Sequence, residues 1–196
     1  MKRHATLLLT LVFGLGIDLL SAQGSNEYVH VRGTPFALKD LEDLCKNPEL
    51  KKLDLRGAGM SDRSMVYLSK LGALEELRLD SHTITTKGYT VLESLKKLRV
   101  LGVQSATSKE LTKIFEIVKD LPLEELDVSN SRDFTGRGLE ILNCKQTLKK
   151  LDISCGRGTA DDRGIESLKD FTSLTHLDLN GHSKIKKGVK FLEGMT

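Results

Sequence analysis

The strongest constraint on the fold of this chain is a leucine pattern that recurs at a nearly constant interval. The pattern L-x-x-L-x-L occurs six times, with its first leucine at positions 50, 74, 98, 123, 148 and 174, and Val or Ile ends three of the copies. Leucine accounts for 35 of the 196 residues, whereas the apolar fraction of 39% is ordinary. A fixed step of this size predicts a stack of similar units, because a single unit cannot bury its own apolar face.

The second half of each unit predicts a turn followed by a short helix. Residues 84–89, 134–139 and 185–189 share an apolar residue, a turn and a glycine before apolar residues at helical spacing. Thr85, Thr135 and either Asp161 or Asp162 are the predicted helix N-caps, since their side-chain oxygens can accept unpaired N–H groups. Residues 110–119 predict a plain amphipathic helix that Pro122 closes, with a local change in curvature of the stack.

The N-terminal quarter of the chain predicts two different segments. Residues 1–24 combine basic residues, an apolar run and a small-residue exit, which is the pattern of a secretory signal peptide cleaved after Gly24 or Ala22. Counting 24 residues back from Leu53 leads to Val29, which predicts a first strand in a capping unit over residues 25–49. Residues 50–196 then form about six repeats, the last of them incomplete or without a cap.

These units resemble those of leucine-rich-repeat proteins. The subtype resembles the cysteine-containing and ribonuclease-inhibitor-like group, whose helix-end cysteine matches Cys45 and Cys144. The resemblance implies an α/β fold, a right-handed horseshoe segment with a parallel sheet on the concave face and short helices on the convex face. The position after each strand departs from the group's usual Asn, Cys or Thr, so we expect looser or water-mediated bonding on that side. These positions hold Ala58, His82, Ala106, Ser131, Gly156 and His182.

Equivalent residues of stacked strands form columns on the concave face, because adjacent strands lie about 4.8 Å apart. In one column opposite charges alternate and predict cross-strand ion pairs; it runs Lys51, Glu75, Arg99, Glu124 and Lys149. In another column the last three residues, Asp127, Asp152 and Asp178, are all acidic and have no opposite charge between them. Their repulsion indicates contact with a positively charged partner. The candidate partner-binding residues are Lys52, Asp54, Arg56, Arg78, Asp80, Asp127, Asp152 and Asp178.

No catalytic, metal or cofactor site is predicted. Of the histidines at 30, 82, 176 and 182 only the last two are near one another, their spacing fits no zinc motif, and the three cysteines contain no C-x-x-C pair. A disulfide between Cys45 and Cys144 would have to cross four repeats, about 19 Å at one strand spacing each. The cysteines are therefore expected to be small buried thiols.

The sequence favours a secreted protein that binds another protein through its repeat surface, without catalysis, nucleic-acid binding or membrane insertion after signal removal. One alternative is an intracellular substrate-recognition adaptor of a ubiquitin ligase type. Another alternative is a fragment of a larger repeat array, with self-association through the last repeat.

Overall fold

The chain forms a stack of short parallel strands, each followed by a turn and a helical segment. The computed structural model describes residues 28–31, 37–80, 82–187 and 190. The signal-peptide segment 1–24 lies outside the described residues. In the described ranges the strands are β1 Tyr28–His30, β2 Lys52–Asp54, β3 Glu76–Asp80, β4 Val100–Gln104, β5 Glu125–Asp127, β6 Lys150–Asp152 and β7 His176–Asp178.

These seven strands form one parallel sheet in sequence order. Val29 pairs with Leu53, and each later pairing follows the 24- to 26-residue step, as the leucine pattern predicts. The predicted α/β solenoid is confirmed, and the register brings equivalent side chains into columns. The boundaries of the capping unit and of the last repeat stay predictions.

Helical segments occupy the other half of each unit. The α-helices are α1 Leu38–Leu44, α2 Asp62–Leu68, α3 Thr86–Tyr89 and α4 Ser108–Val118, and the 3-10 helices are Thr90–Ser94, Leu139–Ile141, Cys144–Gln146 and Glu166–Asp170. The amphipathic helix predicted over residues 110–119 is confirmed as α4, which buries Leu111, Ile114, Phe115 and Val118. None of the described helices is long and apolar enough to cross a membrane.

The N-cap predictions hold in full for one of the three positions and in part for another. The Thr85 hydroxyl accepts a hydrogen bond from the Lys87 N–H at the start of α3. Thr135 is not an N-cap, because Gly138 stands directly before the next 3-10 helix in a left-handed conformation. The following 3-10 helix begins later, after Ile165. Asp161 nevertheless makes the predicted contact in the turn before it, where its Oδ1 accepts from the Arg163 N–H at 3.1 Å and the Gly164 N–H at 2.9 Å.

The leucines of the repeated pattern form the core. From Leu50 to Ile153 they are at most 2% exposed, whereas Leu174 is 8% exposed and both Leu177 and Leu179 are partly exposed. Each inner unit is covered by a neighbour on both sides, so the apolar surface becomes more accessible toward the last described strand.

The side expected to be loosely bonded carries direct hydrogen bonds between repeats. Beyond the sheet, the Ser105, Asn130 and Cys155 N–H groups donate to carbonyls of the following unit. His182 is 7% exposed; its Nδ1 accepts from the Ala160 N–H at 3.1 Å and its Nε2 lies 2.7 Å from the Ile153 carbonyl oxygen. The expectation is therefore wrong for these units, because backbone groups and one imidazole replace the missing side-chain ladder.

Gly158 provides the space that the His182 ring needs. A Cβ atom at Gly158 would lie 2.0 Å from His182 Nδ1, whereas one at Gly156 would have no atom within 4 Å. The ring cannot withdraw without losing both of its hydrogen bonds.

We therefore expect Gly158→Ala to lower the free energy of unfolding by about 1 to 3 kcal/mol, the usual range for overpacking. Gly156→Ala, two residues away, should have little effect. Urea denaturation followed by circular dichroism measures both variants. Equal stability of the two would contradict the structural role assigned to His182.

Candidate functional site

Four aspartates of the concave face share one structural contact. In each, Oδ1 accepts a hydrogen bond from the backbone N–H two residues later, at the point where the strand ends. The pairs are Asp54 with Arg56 at 3.1 Å, Asp127 with Ser129 at 3.0 Å, Asp152 with Ser154 at 2.8 Å and Asp178 with Asn180 at 2.9 Å. The recurrence of aspartate in this column therefore has a local cause, the satisfaction of a donor that the short strand leaves unpaired.

The N-terminal part of the concave face is paired internally. Arg56 Nη2 lies 2.7 Å from Asp54 Oδ2, and His30 Nε2 lies 3.8 Å from the same oxygen. Asp54 is 3% exposed. Burial alone would raise the pKa of Asp54, but the hydrogen bonds and positive charge of Arg56 hold it below its usual value. Lys52 lies beside this pair on β2 and is exposed.

Arg78 connects three acidic residues across the middle of the sheet. Its Nε donates to Glu76 at 2.8 Å, its Nη2 donates to Glu125 at 2.7 Å, and its Nη1 lies 4.0 Å from Asp127. Burial opposes the charged guanidinium, but the bonds to Glu125 and Glu76 prevail and raise the pKa of Arg78. The three carboxylates thus surround one cation that is always charged.

Gly102 makes this arrangement possible. Arg78 belongs to β3 and Glu125 to β5, so the guanidinium has to pass over the intervening strand β4. A Cβ atom at Gly102 would lie 3.3 Å from Arg78 Cγ, a tighter contact than most side chains make. The absence of a side chain at this position of the column leaves the path open.

The prediction that the charge of Asp127 is unrelieved is therefore wrong. Arg78 reaches it from two strands away, and Gln104 Nε2 donates to its second oxygen at 2.7 Å. Asp80 is also engaged, since its carboxylate accepts from the Gly57 N–H of the preceding unit. The sequence reasoning missed Gly102 and Gln104, although a glycine within a column of charged residues was the visible signal.

The outer column confirms the predicted alternation of charge. Glu124 accepts from Arg99 on one side and from Lys149 Nζ at 2.7 Å on the other. Hydrogen bonds from Lys149 and Arg99 lower the pKa of Glu124. Arg99 and Lys149 are both 58% exposed, so these pairs contribute little to stability.

Apart from the exposed Lys52, the candidate residues therefore divide into two groups. Asp54, Arg56, Arg78, Asp80 and Asp127 take part in contacts within the sheet. The remaining acidic residues, Asp152 and Asp178, lie on β6 and β7 beside a concave depression of about 950 Å³. The second oxygen of each contacts no hydrogen-bond donor among the described residues.

Potential metal ligands and thiols are dispersed among the described residues. They contain no group of three or more His, Cys, Asp or Glu side chains that could hold a metal ion. The three thiols are buried and form no disulfide. Burial raises the pKa of Cys45 and of Cys144 to about 11, so both thiols are protonated and poorly nucleophilic at neutral pH.

Solved structures share this architecture. A chain from the crystal structure of the Rad7 and Elc1 complex in yeast is similar with a TM-score of 0.65 and 17% identity, over 84% of this chain and 44% of that one. An internalin from Listeria monocytogenes is similar with a TM-score of 0.51 and 18% identity, over 86% of this chain and 52% of that one. The chain has the leucine-rich-repeat fold. It spans about half the length of these neighbours or less.

The sequence comparisons add little to the fold. No protein-family model matches the sequence. Polyribonucleotide nucleotidyltransferase of Campylobacter lari is 24% identical over 148 residues, which are 72% of this chain and 21% of the enzyme. A match to one fifth of an enzyme at this identity does not assign its activity to the leucine-rich-repeat chain.

The Arg78 cluster leads to a prediction about stability. Arg78→Met should lower the free energy of unfolding by about 2 kcal/mol, because it leaves Glu76 and Glu125 close together without their shared cation. Arg99→Met, which removes a side chain that is 58% exposed, should cost less than about 0.5 kcal/mol. Urea denaturation measures the two variants, and equal losses would show that Arg78 is only a surface charge.

Proposed function

We propose that this leucine-rich-repeat chain is a secreted binding module without catalytic activity that receives a partner protein on the concave face of β5–β7. The unpaired carboxylate oxygens of Asp152 and Asp178 carry the proposal. They distinguish this end of the face from the β1–β4 end, where the charged groups of Asp54 and Arg56 satisfy one another.

The partner surface that fits these groups is positively charged. Asp152 and Asp178 occupy equivalent register positions on the adjacent strands β6 and β7, so that their negative charges lie side by side. Like charges opposite one another destabilise a sheet, and a cation from a partner would relieve that repulsion. Lys150 is drawn toward Glu125, with Nζ 3.7 Å from Oε2, and it forms the border of the surface rather than neutralising it.

Asparagine at both positions tests this site without removing the local fold. The Asn side-chain oxygen can still accept from the Ser154 and Asn180 N–H groups, so Asp152→Asn/Asp178→Asn removes charge alone. Immobilised protein should recover its partner from extracts or secreted fractions roughly fivefold less well, or worse, after this change.

The matched control is Glu93→Gln/Asp170→Asn, which removes two exposed carboxylates from the helical side. The informative proteins are those that wild type and control recover and the Asp152/Asp178 variant loses, as measured by quantitative mass spectrometry. Equal recovery of every protein by all three forms would contradict a concave binding site on β6 and β7.

Two finer assignments accompany the proposal. We infer the cysteine-containing repeat subtype, supported by Cys45 at the C-cap of α1 and by Cys144, which is buried and begins the 3-10 helix Cys144–Gln146. We also infer export, supported by the basic and apolar pattern of residues 1–24.

Export predicts a processed N-terminus. The full-length chain expressed in a host with a general secretory pathway should accumulate outside the cytoplasm and begin at Ser25 or Gln23. N-terminal sequencing and fractionation measure this directly. An intact Met1 in the cytosol would contradict export and favour the intracellular adaptor, the second candidate for this fold.

A further inference from the structure

A second charged surface runs along the helical side of the stack, separate from the concave face. Each of six consecutive units places one cation two positions before the first apolar residue of its helical half. We name this set the basic column; it consists of Arg63, Lys87, Lys109, Arg137, Arg163 and Lys187. In the first five units the apolar residue two positions later is fully buried, as Met65, Tyr89, Leu111, Leu139 and Ile165 show.

The basic column is exposed, and its side chains form no direct contact with a carboxylate of the described residues, although the charge of Lys87 helps to lower the pKa of Asp62. All six side chains are exposed, and none forms an ion pair or a side-chain hydrogen bond with a described residue. On the concave face, by contrast, Arg78, Arg99 and Lys149 all contact carboxylates. Solubility would be served by charges scattered over the surface, whereas these charges repeat at one structural position.

Nearby carboxylates hold the backbone of the column in place. Asp62 Oδ1 accepts from the Thr85 N–H at 2.8 Å, and Asp162 Oδ1 accepts from the Lys187 N–H at 3.0 Å, each in the following unit. Asp133 Oδ1 accepts from the Ser108 N–H of the preceding unit at 3.1 Å. These bonds between units fix the backbone on which the cations stand, so a ligand would meet an array that is already ordered.

Further cations widen the surface in the last three units. Arg132, Arg157, Lys184 and Lys186 are exposed in the turns beside the column, and none has an ion-pair partner among the described residues. Glu140 and Glu166 lie on the helical side of Arg137 and Arg163, where Glu140 accepts from the Gly138 N–H and Glu166 contacts Lys169. Cations therefore outnumber carboxylates on the turn side of these units, and acidic residues bound the surface on the helix side.

The character of the surface favours an acidic polypeptide over other polyanions. Accessible aromatic rings are scarce along the column in the described part of the chain: Tyr89, Phe115 and Phe134 are buried, and only Tyr67 of α2 is partly exposed, with Lys70 Nζ 5.5 Å from its ring centroid. Stacking on single-stranded nucleic acid would need such rings. Asp62 and Asp162 would also repel a continuous phosphate backbone, whereas a peptide with spaced carboxylates can pass between them.

We propose that the basic column docks an extended acidic segment of a partner polypeptide, whose carboxylates pair with the cations of successive units. This site is independent of the concave face. Loss of one should leave binding at the other intact, so the two proposals can fail separately.

The direct test is binding of a fluorescein-labelled peptide of alternating Glu and Ser to the purified chain, followed by fluorescence anisotropy at low salt. A peptide of about 20 residues spans roughly 65 Å when extended, longer than the five strand spacings between the first and last unit. Binding should saturate, and Arg137→Gln/Arg163→Gln/Lys187→Gln should weaken it about tenfold through the loss of three exposed pairs.

The matched control removes the same charge elsewhere. Lys96→Gln/Lys97→Gln/Lys119→Gln changes three exposed lysines at the opposite ends of the helical segments, and it should weaken binding less than about twofold. Circular dichroism melting curves establish that both variants are folded. Equal weakening by the two variants would refute a specific column, because net charge alone would then explain binding.

Zero-length cross-linking with a carbodiimide locates the bound peptide. Amide bonds should form between peptide carboxylates and the column lysines Lys87, Lys109 and Lys187, and not with the concave Lys52. The proposal is overturned if binding does not saturate or if the cross-links fall on the concave face. It is also overturned if an oligouridine of equal length or phosphatidylserine vesicles bind more tightly than the peptide.

Discussion

The burial of each unit's leucines against the next unit is the constraint on which the rest of the structure depends. Leu53, Leu77 and Leu101 pair at successive positions of the sheet and are all fully buried. No unit has a core of its own, so stability comes from contacts between neighbours. The same contacts fix the register of the sheet, and the register decides which polar side chains stand beside one another. Every charged column described above is a consequence of leucine packing.

This dependence explains which features the sequence could predict. Strand order, register and the pairing of Glu124 with Arg99 and Lys149 follow from repeat spacing, because equivalent positions must become neighbours. Helix α4 was predictable from its apolar spacing. The 3-10 helix Leu139–Ile141 was not, since it follows a turn in which Gly136 and Gly138 adopt positive φ angles of 85° and 97°. Turn conformations of this kind depend on local backbone freedom that a leucine period does not express.

The concave site was predictable only in part, for a different physical reason. A column read from sequence pairs each residue with its immediate neighbours, about 4.8 Å away. Arginine has a much longer reach, and Gly102 removes the side chain that would otherwise stop Arg78 at β4. The charge of Asp127 is therefore balanced from two strands away. The role of His182 was not predictable for the same reason. Its imidazole bonds to backbone groups of the neighbouring unit, and a column of side chains contains no backbone groups.

Repeated acidic residues are thus ambiguous as evidence for a binding partner. Asp54, Asp127, Asp152 and Asp178 all use one oxygen to cap the end of a strand, so the aspartate column would exist in a protein that bound nothing. The second carboxylate oxygen distinguishes internally paired aspartates from candidate binding residues. It accepts a hydrogen bond in Asp54 and Asp127, and it has no donor among the described residues in Asp152 and Asp178. The same criterion distinguishes the cations of the basic column, which contact no carboxylate directly, from the cations of the concave face that do. In a solenoid, groups whose bonding capacity the fold leaves unused are the ones to test for recognition.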